Sequence, residues 1–152
     1  MKKTIYTSQE YKADISIIVD MIKQFKNPHL VSLYRGALPM GVLLSNIMDL
    51  PLSIIDYQTR DTQTLEPKLI KDAGIVNSTN DTIIILDDII DSYRTLKAAK
   101  NYMNSLFPDS DIVGITLHKN TKNEMMHANS EWVRSLNNTN GDWVVYEQWE
   151  VL

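Results

Sequence analysis

Apolar residues recur at helical spacing between Tyr11 and Phe25, at Ile15, Ile18, Val19 and Ile22, and this pattern predicts a first helix. Thr7 or Ser8, ahead of Glu10 and Tyr11, supplies a capping residue at its start. The apolar run Leu30-Val31-Ser32-Leu33-Tyr34 breaks at Arg35-Gly36 and passes at once into a second helical pattern from Leu38 to Met48, which reads as strand, tight loop, helix. Leu52 to Tyr57 predicts the next strand. From Gln58 to Asn80 the chain is polar, rich in Thr, Asp and Lys and without period, as a long mobile loop or a frayed hairpin would be.

Thr82-Ile83-Ile84-Ile85-Leu86 is a continuous, largely β-branched run of the kind buried on both faces of a parallel sheet, and predicts a central strand. It runs into Asp87-Asp88-Ile89-Ile90-Asp91-Ser92-Tyr93-Arg94, ahead of a helix expected from about Thr95 to Leu106. Asp111 to Leu117 predicts another strand, ending at His118-Lys119. Trp132-Val133 and Trp143-Val144-Val145-Tyr146 predict two short strands separated by a turn from Asn137 to Gly141. Strands alternating with helices imply an α/β fold with a mostly parallel central sheet, whose ligands bind outside the carboxyl ends of the strands. No internal repeat, linker composition or block of like charge divides the chain, so a single domain over 1–152 is expected.

Composition narrows the chemistry. At 152 residues and 43% apolar, the chain suffices for one domain that buries about two-thirds of its unfolded surface. Fifteen Lys plus Arg against nineteen Asp plus Glu give a net charge of -4, which creates no field for gathering nucleic acid or an anionic membrane. Tyr57, Tyr102 and Tyr146 are not interleaved with basic residues as a base-stacking platform requires. The absence of cysteine excludes disulfides, thiolate metal sites and cysteine nucleophiles. Met1-Lys2-Lys3-Thr4 leads into mixed polar sequence with no long apolar run, so neither a signal peptide nor a spanning helix is expected and the expected location is cytoplasmic. His29, His118 and His127 lack zinc spacing and read as surface or supporting residues. The glycine patterns of P-loops, dinucleotide folds and hydrolase elbows are missing.

Three carboxylates, Asp87, Asp88 and Asp91, crowd where the central strand meets a helix, with Ser92, Arg94 and Thr95 beside them. Backbone N–H groups at a helix start, aided by the helix dipole, form a phosphate seat, and paired acids beside one suit Mg²⁺ held directly or through water. The alternative is a solvated acidic turn with one Asp as N-cap. Arg35-Gly36 after a strand offers a guanidinium and a free N–H to an oxygen-rich anion, or is an ordinary strand-to-helix turn.

The segment Ile83-Ile84-Ile85-Leu86-Asp87-Asp88-Ile89-Ile90-Asp91-Ser92-Tyr93-Arg94-Thr95 resembles the PRPP-binding motif of type I phosphoribosyltransferases. Upstream, Val31 to Gly41 is similar to that family's pyrophosphate loop. Downstream, Trp143-Val144-Val145 with Trp149-Glu150 resembles the closing segment of bacterial and archaeal 6-oxopurine enzymes. The resemblance implies the type I phosphoribosyltransferase fold, with a small hood contributed by about 120–152, and assembly as a homo-dimer or homo-tetramer. It implies that Asp87 and Asp88 face the ribose hydroxyls and the metal shell, that Asp91 accepts the purine proton, and that Ser92, Tyr93, Arg94 and Thr95 form the 5'-phosphate loop. It further implies pyrophosphate binding by Arg35 and Gly36, a non-proline cis peptide at Tyr34-Arg35, and purine binding by Lys119, Trp143 and Val144. Mg²⁺ is the implied cofactor, near Asp88 and Glu150, and residues 57–74 are the implied closing loop. Lys119 as a donor favours hypoxanthine, guanine or xanthine over adenine, whose amino group would face the ammonium.

The sequence departs from that pattern at Tyr93, where the family usually has glycine, and at Arg94, where a small residue is common. If position 93 requires φ > 0, a tyrosine costs on the order of 1 kcal/mol or more, which a bound phosphate would offset or which would mark lost activity. The expected function is therefore transfer of the phosphoribosyl group of PRPP to a 6-oxopurine, with no nucleic acid or membrane partner. The alternative is a catalytically weak or inactive relative that senses PRPP or a nucleotide. A phospho-accepting receiver domain is disfavoured, because its acid pair belongs near the first strand and here stands at 87–88.

Overall fold

The computed structural model describes residues 2–56, 68–71, 81–91, 93–122 and 130–151, those of 68–71 as backbone. Its larger sheet has six strands in the order β4-β3-β2-β5-β6-β7. These are β2 (Pro28–Tyr34), β3 (Leu52–Asp56), β4 (Lys68–Lys71), β5 (Thr82–Ile90), β6 (Asp111–Asn120) and β7 (Val133–Thr139). All neighbours pair in parallel except β4, which lies antiparallel to β3 at the edge. A second sheet of two parallel strands joins β1 (Lys3–Tyr6) to β8 (Trp143–Tyr146). The helices are α1 (Ser8–Ile22), α2 (Leu38–Met48), α3 (Arg94–Leu106) and the single turn α4 (Glu147–Glu150).

The two-sided burial expected of the central strand is realised residue by residue. Ile84 and Leu86 of β5 pack into one apolar cluster with Tyr11, Ile15, Ile18 and Ile22 of α1 and Met40 and Leu44 of α2. Ile83 and Ile85 pack into the other, with Leu96, Ala99 and Met103 of α3. Alternation along the strand thus sends successive side chains to opposite helical layers. Each fully buried isoleucine contributes about 2 kcal/mol of transfer free energy to the sandwich. Thr7 starts α1 with a capping box, its hydroxyl accepting from the Glu10 amide at 3.2 Å while Glu10 Oε2 accepts from the Thr7 amide at 2.8 Å.

Two expectations are corrected. The central strand does not stop at Leu86: the ladder to β6 continues from Asp87 opposite Thr116 to Ile90 opposite Lys119, so the acid pair stands on a strand and not in a turn. The strand foreseen at Trp132-Val133 begins at Val133 and runs on to Thr139, through the residues expected to turn. Asn137 can sit in that strand because its amide group donates to Leu117 O at 3.0 Å and to Asp14 Oδ2 at 2.8 Å. The last strand pairs with β1 rather than with its neighbour in sequence, so the small sheet is built from both ends of the chain while β7 widens the main one. Of the segment expected as a loop or hairpin, Lys68–Lys71 forms β4; the remainder of the implied closing loop, 57–74, lies outside the described residues. Among the described residues no helix is long and apolar enough to cross a bilayer.

Candidate active site

The parallel strands β2, β5 and β6 bring their carboxyl ends side by side, where an open α/β sheet receives ligands. On β5 the Asp88 amide donates to Asp87 Oδ1 at 2.9 Å and the Ile89 amide donates to Asp88 Oδ1 at 2.8 Å, fixing both carboxylates against the strand. Burial, then the adjacent Asp88 charge, pushes the Asp87 carboxyl well above the usual range. Burial also raises Asp88, and the Glu150 charge adds to it. Groups whose pKa is raised on folding favour the folded state fully at low pH, and that contribution is lost as pH rises through the raised value. Asp87→Asn, which keeps an acceptor oxygen and removes the charge, is therefore expected to raise Tm at pH 8. The gain, about 2–4 °C for each kcal/mol relieved, should vanish below about pH 3, where the acid is neutral in both states. Melting curves at the two pH values check this, and an equal shift at both would contradict it.

At the end of β2 the Tyr34–Arg35 peptide is cis, as the resemblance implies, and leads through exposed Arg35 to Gly36. A Cβ placed on Gly36 would lie 2.2 Å from Asp88 Oδ2. Only glycine lets this loop rest on the acid pair. Ser32 Oγ donates to Ala37 O at 3.0 Å and ties the loop's far side back to β2.

Tyr93 opens α3 as its N-cap with φ at 68°, in the left-handed region, so the position does require the conformation that glycine favours. It provides no side-chain cap and the first turn of α3 holds no acid, so no carboxylate of the helix itself competes for its first N–H groups. A cleft of about 90 Å³, bounded among others by Asp87, Asp91, Tyr93 and Thr95, lies there. Arg94 is exposed and Thr95 half-buried, while Ser92 lies outside the described residues.

Asp91 is exposed just beyond β5 and accepts from Asn120 Nδ2 at 2.9 Å. The amide orientation of Asn120 is dictated by its surroundings, since its Oδ1 accepts from the Lys122 amide at 3.0 Å and the Gly141 amide at 3.1 Å. Lys119 directly precedes Asn120, in register with Ile90, so the implied base donor and proton acceptor stand on adjoining strand ends. In the tail, Trp143 is 55% exposed and Val144 buried. Glu150 Oε2 accepts from the Tyr146 amide at 2.7 Å.

The Tyr146 hydroxyl donates to the backbone carbonyl of Asp88 at 3.1 Å and so must accept at its oxygen from His118 Nδ1 at 3.0 Å. That bond fixes the Nδ1–H tautomer of neutral His118, whose pKa burial lowers against the opposing charges of Asp14 and Glu10. His29 is likewise buried, 2.8 Å from Ser53 Oγ, so neither described histidine is a surface residue; His127 lies outside the described residues.

No group of three His, Asp or Glu side chains placed to hold a metal ion occurs among the described residues. Mg²⁺ commonly binds through one or two carboxylates, with waters and substrate phosphates completing its shell. Asp87 and Asp88 fit that role, because a cation would offset the desolvation that raises both pKa values and the Asp88 charge that adds to it at Asp87. Glu150 has already committed one oxygen to the Tyr146 amide.

Sequence reasoning gave Asn120 and Tyr146 no site role and His118 only that of a surface or supporting residue, since each acts through a partner 21 to 58 positions away. A hypoxanthine-guanine phosphoribosyltransferase of Streptococcus mutans is 30% identical over 115 residues, covering 70% of this chain; the chain spans 61% of that relative's length. A xanthine-guanine-hypoxanthine phosphoribosyltransferase of Helicobacter pylori superposes with a TM-score of 0.75 at 19% identity, covering 96% of this chain and 91% of that one. A purine phosphoribosyltransferase of Pyrococcus horikoshii gives 0.75 at 21% identity, covering 99% and 95%. The family described as phosphoribosyl transferase domain matches residues 3–148. Strand order, the cis turn, the acid pair and that match agree, and the chain belongs to the phosphoribosyltransferase family.

Proposed function

We propose that this chain transfers the phosphoribosyl group of PRPP to a 6-oxopurine, hypoxanthine, guanine or xanthine, giving the nucleoside monophosphate and pyrophosphate. The observation that carries the reading is the seating of Gly36 on Asp88, which brings an arginine-bearing anion loop and a ribose-facing acid pair to one point. In the reaction the bond from the ribose C1 to the pyrophosphate oxygen breaks and a bond from C1 to the purine nitrogen forms. Arg35 and the Gly36 amide take up charge on the departing pyrophosphate. Asp87 and Asp88 orient the ribose, and Asp91, aimed by Asn120, receives the purine proton. Mg²⁺ bound with PRPP would neutralise pyrophosphate charge beside Asp88. The start of α3, with Ser92, Tyr93, Arg94 and Thr95, holds the 5'-phosphate. Trp143 and Val144 cover the base. Assembly as a homo-dimer or homo-tetramer and a cytoplasmic setting belong to the same reading.

Lys119 decides the base. Lys119→Ala is expected to lower kcat/KM for oxopurines by about 10²-fold, the scale of one lost charged hydrogen bond at 1.5–3 kcal/mol, with the KM for PRPP nearly unchanged. Steady-state kinetics with both substrates varied check it, and an equal rise in both KM values would make Lys119 structural.

Incubation of the protein with PRPP, Mg²⁺ and each base in turn tests the function itself. Equimolar nucleotide and pyrophosphate are expected. Binding of PRPP without consumption of any base would replace the enzyme with a sensor.

A further inference from the structure

Tyr93 holds a positive φ of 68°, a conformation that a side chain disfavours. The ring is not left in the cleft: it is 7% exposed and packs among Leu33, Ile90 and Leu96 in the second apolar cluster. The Tyr93 hydroxyl accepts a hydrogen bond from Trp132 Nε1, with the ring centroids 6.1 Å apart. Trp132 reaches further along the same helix, its ring lying 4.8 Å from Lys100 Nζ. Positions 93 and 100 are two turns apart on one face of α3, so a single indole spans the amino-terminal half of the helix. The indole is seated from the sheet side as well. Trp132 O accepts from the Gly114 amide at 3.0 Å, and a Cβ on Gly114 would come within 2.9 Å of Trp132 Cζ3. Gly114, Trp132 and Tyr93 therefore form a continuous line from β6, through the turn before β7, to the start of α3.

We propose that Trp132 is a positioning residue for the 5'-phosphate seat: with Tyr93 it forms a strut that holds the left-handed turn at the start of α3. The strut rests on the reading of that turn as a sugar-phosphate seat. In place of glycine's freedom, the chain uses ring burial and one hydrogen bond to stabilise a conformation that tyrosine otherwise disfavours. Neither residue needs to touch the base or the pyrophosphate, so the strut acts on affinity for the phosphoribosyl end alone.

Trp132→Phe and Tyr93→Phe each remove one partner of the bond and keep an aromatic ring. Each is expected to raise the KM for PRPP, and the calorimetric Kd for ribose 5-phosphate, about three- to ten-fold, the factor set by one ordinary hydrogen bond. kcat and the KM for the base should stay within about two-fold, which general loosening would not allow. The double variant should be no worse than either single one, because the same bond is lost only once. Should Trp132→Phe not fold, Tyr93→Phe alone carries the expectation. Unchanged ribose 5-phosphate affinity in the variants, or additive losses in the double variant, overturns the strut while the function stands. A wild-type protein that binds ribose 5-phosphate but makes no nucleotide overturns the function, and the strut is then judged on Kd alone.

Discussion

Asp91→Asn is expected to lower kcat by about 10²–10⁴-fold, the usual contribution of a positioned general base, while changing PRPP affinity by less than about two-fold. The carboxylate lies exposed just beyond β5, whereas the acid pair is half-buried, and its contact with Asn120 is preserved in outline by an amide. Binding and chemistry therefore separate cleanly at this position. Single-turnover rates beside PRPP titrations measure the two effects, and unchanged turnover would remove Asp91 from the mechanism. Asn120→Ala leaves the carboxylate charged but unaimed, and the expected loss is smaller, about 10-fold in kcat. Rescue by Asn120→Gln would argue that any amide suffices, and that the bonds from the Lys122 and Gly141 amides do not set the aim.

Gly36→Ala adds one methyl and is expected to cost about 10²-fold in kcat/KM. Its Cβ would stand 2.2 Å from Asp88 Oδ2 and 2.6 Å from Asp88 Cγ, so either the loop or the acid must withdraw. Asp88 is held by the Ile89 amide on a strand paired on both sides, and β2 carries the loop on the strand next to it. Overpacking of this kind costs about 1–3 kcal/mol, and a displacement near 1 Å at a catalytic contact costs about 10²-fold in rate. The loss should fall on PRPP use rather than on the base, because the contact joins the pyrophosphate loop to the ribose-facing acids. Kinetics that match those of the unaltered protein would mean that the loop and the acid pair do not act together.

Local patterns made the core of the fold legible. The isoleucine run of β5 announced a strand covered on both faces, and Leu38 to Met48 announced α2 with the bounds it has. The Thr7 and Glu10 pair marked the start of α1, while the cis peptide at Tyr34–Arg35 was implied only by the resemblance to a family's pyrophosphate loop. What escaped depends on contacts distant in sequence. β1 buries only Tyr6 of its four residues, so no alternation betrays it, and its partner β8 stands some 140 positions away. β7 carries Asn137 and Asn138, which read as a turn until Leu117 and Asp14 accept the Asn137 amide. Extension of β5 through its acids follows from the length of β6 beside it. The left-handed residue 93 was anticipated as a problem; its solution, Trp132, lies 39 residues on and carries no local signature.

A crystal structure of the protein with a nucleoside 5'-monophosphate bears most directly on the central claim, that the start of α3 grips a sugar phosphate beside the β5 acids. The phosphate is expected within about 3 Å of the backbone N–H groups opening α3, with Asp87 and Asp88 facing the ribose hydroxyls and the Tyr93 ring still packed against Trp132. A nucleotide bound elsewhere, with that cleft closed by the Tyr93 ring, would contradict it.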